Sequence, residues 1–413
     1  MCKSDQIALI DGRWGVKREA DSMPGLLVLM GSGETSPTMV EVHRSAAKRL
    51  RAGARAVLLD TPYAFQENAA DISARARRYF ARSVGLEVEV ATGAAGADWV
   101  FSGPGSPTYA LDRWTATPTA GDLRARVRAR QGVTVLASAA ACTAGLATVP
   151  VYEIYKVGAE PHWREGLDLL AALGLRAVLI PHFDNAEGGT HDTRYCYLGE
   201  RRLSRMEREL PPGTAVLGID EHTAVVLDLD AETVEVAGRG GLTVRCPGSQ
   251  VVLPAGTRID LGELRHLAEG GRAAAAPPPR PATAPAPAQI TLEETARSCE
   301  RRFQCAAAEP DLVAAARAVL DLEAELVKWA ADTEEDAGGV DEARELLRLL
   351  IARLAEVSTT ANLRSLVEPL LSFRDDLRGQ GRYGDADALR AAMLSGGVLV
   401  EDTPDGPRWT ASP

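Results

Sequence analysis

Three short stretches of this sequence carry side chains that attack carbonyls or move protons. In VTVLASAAACTAG, Val133 to Gly145, an apolar run breaks at Ser138 into alanines. In IPHFDNAEGGTHD, His182 directly follows the run AVLI, and in LGIDEHTAVVLD the acids Asp220 and Glu221 close another apolar run. A strand that turns sharply into a helix lifts a serine hydroxyl clear of its sheet and points nearby backbone N–H groups at a developing oxyanion. An imidazole at a neighbouring strand end can take the hydroxyl proton, and one carboxylate beside it fixes the tautomer. Together these groups are a set for acyl transfer. Taken singly, the serine is equally a small residue at a tight corner and the histidine a structural group. Cys142, one helical turn beyond Ser138, is expected to point into the core rather than at a substrate.

Two glycine-rich loops accompany them. GSGETSPT (Gly31 to Thr38) follows LLVLM, with Thr35 or Ser36 placed to cap the next helix. It lacks the GK[ST] of a phosphate loop, so nucleotide binding is not favoured. SGPGSPTY (Ser102 to Tyr109) follows DWVF; Gly103 and Gly105 can present N–H donors, and Pro104 cannot. Glu34 and His191 are further polar groups expected to line a site and touch substrate. The segment between His182 and the GIDE strand is long enough to form a lid or substrate clamp.

The elements that must position these groups are short β-branched runs alternating with helical patterns: LLVLM, RAVLLD, EVEVAT, DWVFSG, VTVLAS, AVLIPHF, AVLGID, TAVVLDLD and VEVAG. Such alternation predicts an α/β fold with a doubly wound, largely parallel sheet, whose sites form beyond the carboxyl ends of its strands. GRAAAAPPPRPATAPAPAQ is too poor in anchoring side chains to build a core and reads as a linker. Beyond it the pattern is helical, as in LVAAARAVLDLEAELVKWA and ARELLRLLIARLAEV, until VLVEDTPDGPRWT, where Pro-Asp-Gly joins two short strands. The expected organisation is an N-terminal extension (1–24), an α/β domain (25–268), a linker (269–289) and a helical domain (290–413).

At 413 residues, 46% hydrophobic and 25% charged, the chain has the composition of a two-domain globular protein. Its apolar runs are far shorter than the roughly 20 residues of a membrane span, and the first residues show no secretory signal, so a cytoplasmic location is expected. Six cysteines form no CxxC pair; no metal and no cofactor is expected, and the thiols are read as reduced. Residues 290–413 hold 24 acidic against 14 basic side chains and thus carry nearly all of the formal charge of −11. That excess disfavours broad attraction to nucleic acid.

The combination of GSGE, SGPGS, ASAAA, LDLLAALGLRAVLIPHF, and GIDEHTAVVLD followed by EVAGRGGLTV resembles the cyanophycinase and dipeptidase E family of serine peptidases over about residues 25–247. The resemblance implies a class I glutamine amidotransferase-like fold. It implies Ser138 in SAAA as nucleophile, His182 in HF as base and Glu221 in GIDE as the carboxylate. A comparison slid by one residue would instead put Ala139 at the nucleophile. The N–H of Ala139 with that of Gly103 or Gly105 would form the oxyanion hole, and the substrate would be a peptide or another acyl compound. Two positions depart from the family pattern: Ala140 stands where a glycine is usual, and Leu136 fills a position normally small, so crowding at the elbow is expected. Amidotransferases of this fold use a cysteine with a His-x-Glu pair, and no such pair follows His182.

Residues 366–409, carrying ADALRAAM and VLVEDTPDGPRW, resemble the C-terminal end of cysteinyl-tRNA synthetase. There a helical bundle and a small terminal module help recognise the tRNA anticodon. The synthetase ATP motifs and metal-binding cysteines are absent from this sequence, so aminoacylation is not implied. Arg374, Arg378, Arg382, Arg390 and Arg408 are the basic residues available for a narrow RNA contact, with Arg390 and Arg408 the leading pair. The function expected is a serine hydrolase with an appended interaction domain. The alternative is an inactive scaffold that associates with tRNA, docks a protein or forms a homodimer.

Overall fold

A computed structural model describes residues 7–10, 13–16, 25–187, 191–271, 292–309, 311–329, 339–403 and 406–411. Contacts divide the chain into two compact units that part at the Pro/Ala-rich segment. Most of that segment, residues 272–289, lies outside the described residues, as do residues 188–190 of the expected lid and Pro404–Asp405 of the expected turn.

In the first unit β1 (Ile7–Ile10) and β2 (Arg13–Val16) pair antiparallel, apart from the main sheets. There follow β3 (Leu26–Met30), α1 (Val40–Ala47), β4 (Ala56–Leu59), α2 (Ala69–Tyr79), β5 (Glu89–Ala91), β6 (Trp99–Ser102), α3 (Pro107–Thr115), α4 (Thr119–Ala129), β7 (Val133–Ala137) and α5 (Ser138–Cys142). The chain continues through β8 (Ala147–Thr148), α6 (Val151–Tyr155), β9 (Arg164–Glu165), β10 (Ala177–Ile180), α7 (Gly199–Glu207) and β11 (Ala215–Ile219). It closes with β12 (Thr223–Asp228), β13 (Thr233–Gly238), β14 (Gly241–Cys246), β15 (Ser249–Pro254), β16 (Arg258–Asp260) and α8 (Leu261–Ala268).

The large sheet runs β16-β13-β12-β3-β7-β6-β4-β5. Its five strands from β3 to β5 are parallel, and β12, β13 and β16 add antiparallel pairs at one side. Every residue of β3, β4, β6 and β7 is buried, as parallel strands covered on both faces require. Successive side chains point to opposite faces: Leu27, Leu29 and Leu136 join one core with Trp114 and Leu123, while Val28, Met30, Val135 and Ala137 join the other with Phe80, Trp99 and Phe101. AVLI and AVLGI do not belong to this sheet. As β10 and β11 they pair parallel to each other in a separate sheet, β10-β11-β14-β15.

Register decides where the chemistry lies. Met30 stands beside Ala137, and Ser102 beside Leu136, so Gly31, Gly103 and Ser138 leave the sheet at one edge. Ile180 stands beside Gly218, so His182 and Asp220–Glu221 leave the second sheet together. The turn 220–222 then crosses from β11 into β12 of the large sheet, where Gly31 N–H donates to Thr223 O at 3.0 Å.

The second unit comprises α9 (Leu292–Ala308), α10 (Leu312–Trp329), α11 (Val340–Gly379) and α12 (Tyr383–Ser395), then β17 (Val398–Thr403) paired antiparallel with β18 (Gly406–Ala411). Phe303, Leu322, Trp329 and Leu350 anchor one helical core; Val367, Leu371, Met393, Val398 and Val400 anchor a second beneath the hairpin. α11 runs as one helix through Pro369.

Candidate active site

Ser138 opens α5 directly after β7 with φ +47°, and Ala137 before it is extended. A left-handed conformation costs a non-glycine residue about 1–2 kcal/mol. Hydrogen bonding pins the corner: Ala140 N–H donates to Gly103 O at 3.2 Å. The expected crowding is absorbed within the core. Leu136 is fully buried on the face that holds Leu29 and Trp114, in one cluster with Ala140, Ala141 and Ala144, whose small side chains leave it room.

Ser138 Oγ lies 2.9 Å from His182 Nε2, and His182 Nδ1 lies 2.9 Å from Glu221 Oε1. The carboxylate therefore accepts a hydrogen bond from Nδ1–H and fixes the tautomer, leaving Nε2 as acceptor for the serine hydroxyl. Glu221 is the acid that reaches the imidazole. Asp220 turns its Oδ2 to the Gly241 N–H at 2.7 Å instead. His182 itself has φ +48°, and the backbone around it is clasped: Cys196 N–H donates to His182 O at 3.1 Å and Tyr195 N–H to Phe183 O at 3.0 Å.

Two residues that the motifs did not reveal support Glu221. Asn185, fully buried, donates from Nδ2 to Glu221 Oε1 at 3.1 Å, and Asp184 Oδ1 accepts the Glu221 N–H at 2.7 Å. Burial pushes the Glu221 carboxyl up, but the His182 hydrogen bond and charge and the Asn185 amide outweigh it, and its pKa lies below the usual value. Asp220 is pushed up to about 6, by burial first and then by the neighbouring Asp184 charge. Asp184 is also raised by burial. Asp184 appears in the sequence as an ordinary loop residue; only the approach of its loop to the turn after β11 brings it to Glu221 and Asp220.

The Gly31–Thr38 loop is held from two sides. His43, buried among Tyr79, Phe80, Trp99 and Phe101, donates from Nε2 to Glu34 O at 2.7 Å; burial lowers its pKa to about 4, so it is neutral at pH 7. His222, next to Glu221, places Nδ1 3.0 Å from Thr38 Oγ1 and 3.3 Å from Ser36 Oγ. Ser36 precedes a short 3-10 turn without capping it through its side chain; its hydroxyl instead meets Thr38. Glu34 is fully buried, and a Cβ on Gly103 would stand 2.6 Å from Glu34 Oε1, so only glycine fits between that carboxyl and the elbow. Gly105, at φ +125°, packs on the Pro62 carbonyl.

His191 is exposed and stacks on Tyr155, ring centroids 6.3 Å apart, while Tyr155 meets Tyr197 at 4.9 Å. This aromatic group borders a left-handed turn in which Tyr195, Cys196 and Tyr197 all have φ between 55° and 63°. No glycine in RYCY signals such a turn. Cys142 is buried, and burial pushes its thiol up to about 12. It is a core residue. Among the described residues no group of His, Cys, Asp and Glu could hold a metal, and no helix is long and apolar enough to cross a membrane.

The basic residues of the second unit divide. Arg374, read from sequence as available for RNA, is fully buried and bonds Asp402 through both terminal nitrogens at 2.8 Å. Arg378 reaches the same carboxylate at 3.2 Å and Arg390 at 4.0 Å, while Arg382 pairs with Asp385. Arg390 and Arg408 are exposed.

These features define an α/β protein with a hydroxyl–imidazole–carboxylate series at its strand ends and a separate helical unit. No family model matches the chain. It is similar to the cysteine–tRNA ligase of Frankia casuarinae, 34% identical over 85 residues, 19% of this chain and 16% of that protein. It is likewise similar to the cysteine–tRNA ligase of Symbiobacterium thermophilum, 33% identical over 131 residues, 30% of this chain and 28% of that protein. These likenesses fall in the C-terminal region, and the chain spans less than a third of either ligase. Among solved structures, a peptidase from an acI-B1 Actinobacterium aligns over 58% of this chain and 98% of its own, with 19% identity and a TM-score of 0.46.

Proposed function

We propose that the first unit is a serine hydrolase acting by acyl transfer, in which Ser138 attacks a carbonyl, His182 takes and returns the proton, and Glu221 stabilises the imidazolium. The observation that carries this is the unbroken series Ser138 Oγ–His182 Nε2 and His182 Nδ1–Glu221 Oε1, each 2.9 Å, ending on a serine at positive φ. The Ala139 N–H, with Gly103 or Gly105, receives the oxyanion, each donor worth about 3 kcal/mol in the transition state. The exposed His191 is assigned to the substrate side; Glu34, expected from sequence to touch substrate, is fully buried against Gly103 and instead backs the loop, and the substrate is a peptide or another acyl compound. A fluorophosphonate probe tests the assignment: it should label the wild-type chain at Ser138 and leave Ser138→Ala unlabelled. Equal labelling of both, or of neither, would end it and leave the scaffold reading.

For the second unit the proposal is a narrow tRNA contact through Arg390 and Arg408, supported by the likeness to cysteine–tRNA ligases. With acids in excess, affinity must come from directed contacts, each worth about 1–3 kcal/mol. Filter binding of the full chain should favour one tRNA over an unrelated one and weaken in Arg390→Ala and Arg408→Ala. Equal binding of both tRNAs would leave docking or dimerisation.

A further inference from the structure

α7, in the stretch GERRLSRMERE, carries charges of both signs, and the fold sorts them. Its acids Glu200 and Glu207 are drawn to Arg245 of β14, at 2.6 and 2.7 Å. Its arginines at 201, 202 and 205, with Arg208 just past its end, line an open surface cavity of about 440 Å³, bordered on the far side by residues 158–161 that follow α6. The spacing i, i+1, i+4 and i+7 sets them along neighbouring rows of the helix, close enough to repel. One carboxylate lines the cavity with them: Glu160, 2.7 Å from Arg205. Glu209 stands 3.9 Å from the same arginine, and Arg202 donates to Leu198 O at 3.3 Å. Among the described residues neither Arg201 nor Arg208 has an ion-pair partner. With Glu160 and Glu209 both paired to Arg205, the four guanidinium groups keep an excess of about two positive charges, spread along positions 201–208 of the chain, a longer row than one phosphate group spans.

We propose that this cavity is a binding site for an organic diphosphate, held by Arg201, Arg202, Arg205 and Arg208, with Glu160 as the group it displaces from Arg205. Guanidinium forks match phosphate oxygens in pairs. The volume falls within the usual range for small-molecule sites and exceeds the need of a bare diphosphate, which leaves room for the organic part. The site is built from α7 and the segment after α6 and does not depend on the reactivity of Ser138.

Calorimetric titration of the full chain with inorganic pyrophosphate at low ionic strength tests this, with orthophosphate as the second arm. Pyrophosphate is expected to bind with a Kd below about 1 mM and at least tenfold more tightly than orthophosphate. The double variant Arg201→Gln, Arg208→Gln breaks no ion pair among the described residues, so it should keep the wild-type melting temperature and lose at least tenfold in affinity. Glu160→Gln should bind severalfold tighter, because the competing carboxylate is gone. Absence of binding, equal affinity for the two anions, an unchanged double variant, or weaker binding by Glu160→Gln would each overturn the proposal.

Discussion

Ser138 and Arg374 both carry a polar group into a place with little solvent, and their surroundings differ in kind. Arg374, 0% exposed, is closed on Asp402 by two bonds of 2.8 Å, and Arg378 and Arg390 gather on the same carboxylate. Ser138, 8% exposed, sits in a strained backbone conformation, and its hydroxyl is backed from one side by an imidazole, a carboxylate and an amide. In the first case the two terminal nitrogens of Arg374 are both met by one carboxylate, and the contact fixes helix α11 to strand β17. In the second the series has an end that a substrate can complete. A charge closed on its counter-ion holds a fold, whereas a hydrogen-bonded series with one end unfinished can be put to chemical use.

The difference can be broken most severely at the open series. Glu221→Gln keeps the shape but cannot stabilise an imidazolium, so fluorophosphonate labelling of Ser138 should slow by about 10³–10⁴-fold with the melting temperature nearly unchanged. A loss below tenfold would mean that the carboxylate is structural, like Asp402. At the closed cluster the effect should fall on stability. Arg374→Ala leaves Asp402 without its main partner and should cost about 2–3 kcal/mol, below the full value for a buried pair because Asp402 is 41% exposed. Hydrogen exchange over residues 366–403 should quicken accordingly while labelling of Ser138 stays the same.

The smallest effect separates Glu221 from its neighbour. Asp220 has a folded pKa of about 6 against an ordinary 3.8, so between these values the folded chain binds more protons than the unfolded one. Its ionisation therefore lowers stability as pH rises from about 4 through 6. Two units would amount to nearly 3 kcal/mol, and partial exposure reduces this to about 1 kcal/mol. Asp220→Asn, which keeps an acceptor for Gly241 N–H, should raise the urea midpoint at pH 8 and leave it unchanged below pH 4. A gain equal at both pH values would show that charge is not the cause.

Much of the candidate site was legible because its residues sit in short local patterns. A serine closing an apolar run, a histidine directly after one and a Gly-Ile-Asp-Glu turn each report a strand end. Asn185 was not legible: its role depends on a loop folding back so that its amide meets Glu221, and an asparagine in a polar loop carries no such sign. Nor was the turn at 195–197, because three non-glycine residues adopt left-handed angles only where hydrogen bonds to His182 and Phe183 enforce them.

By itself the sequence determined the alternation of strands and helices and the strand ends at which Ser138, His182 and the Asp220–Glu221 pair stand, since periodicity and strand-end position are local properties. Tertiary structure alone decided that AVLI and AVLGI build a second sheet, that Asn185 meets Glu221, and that Arg374 is spent on Asp402. An apolar run specifies a strand but not its neighbour, and a charge specifies an affinity but not its partner. Both are settled by register and by approach between residues far apart in the chain, 39 positions for His182 with Glu221 and 28 for Arg374 with Asp402.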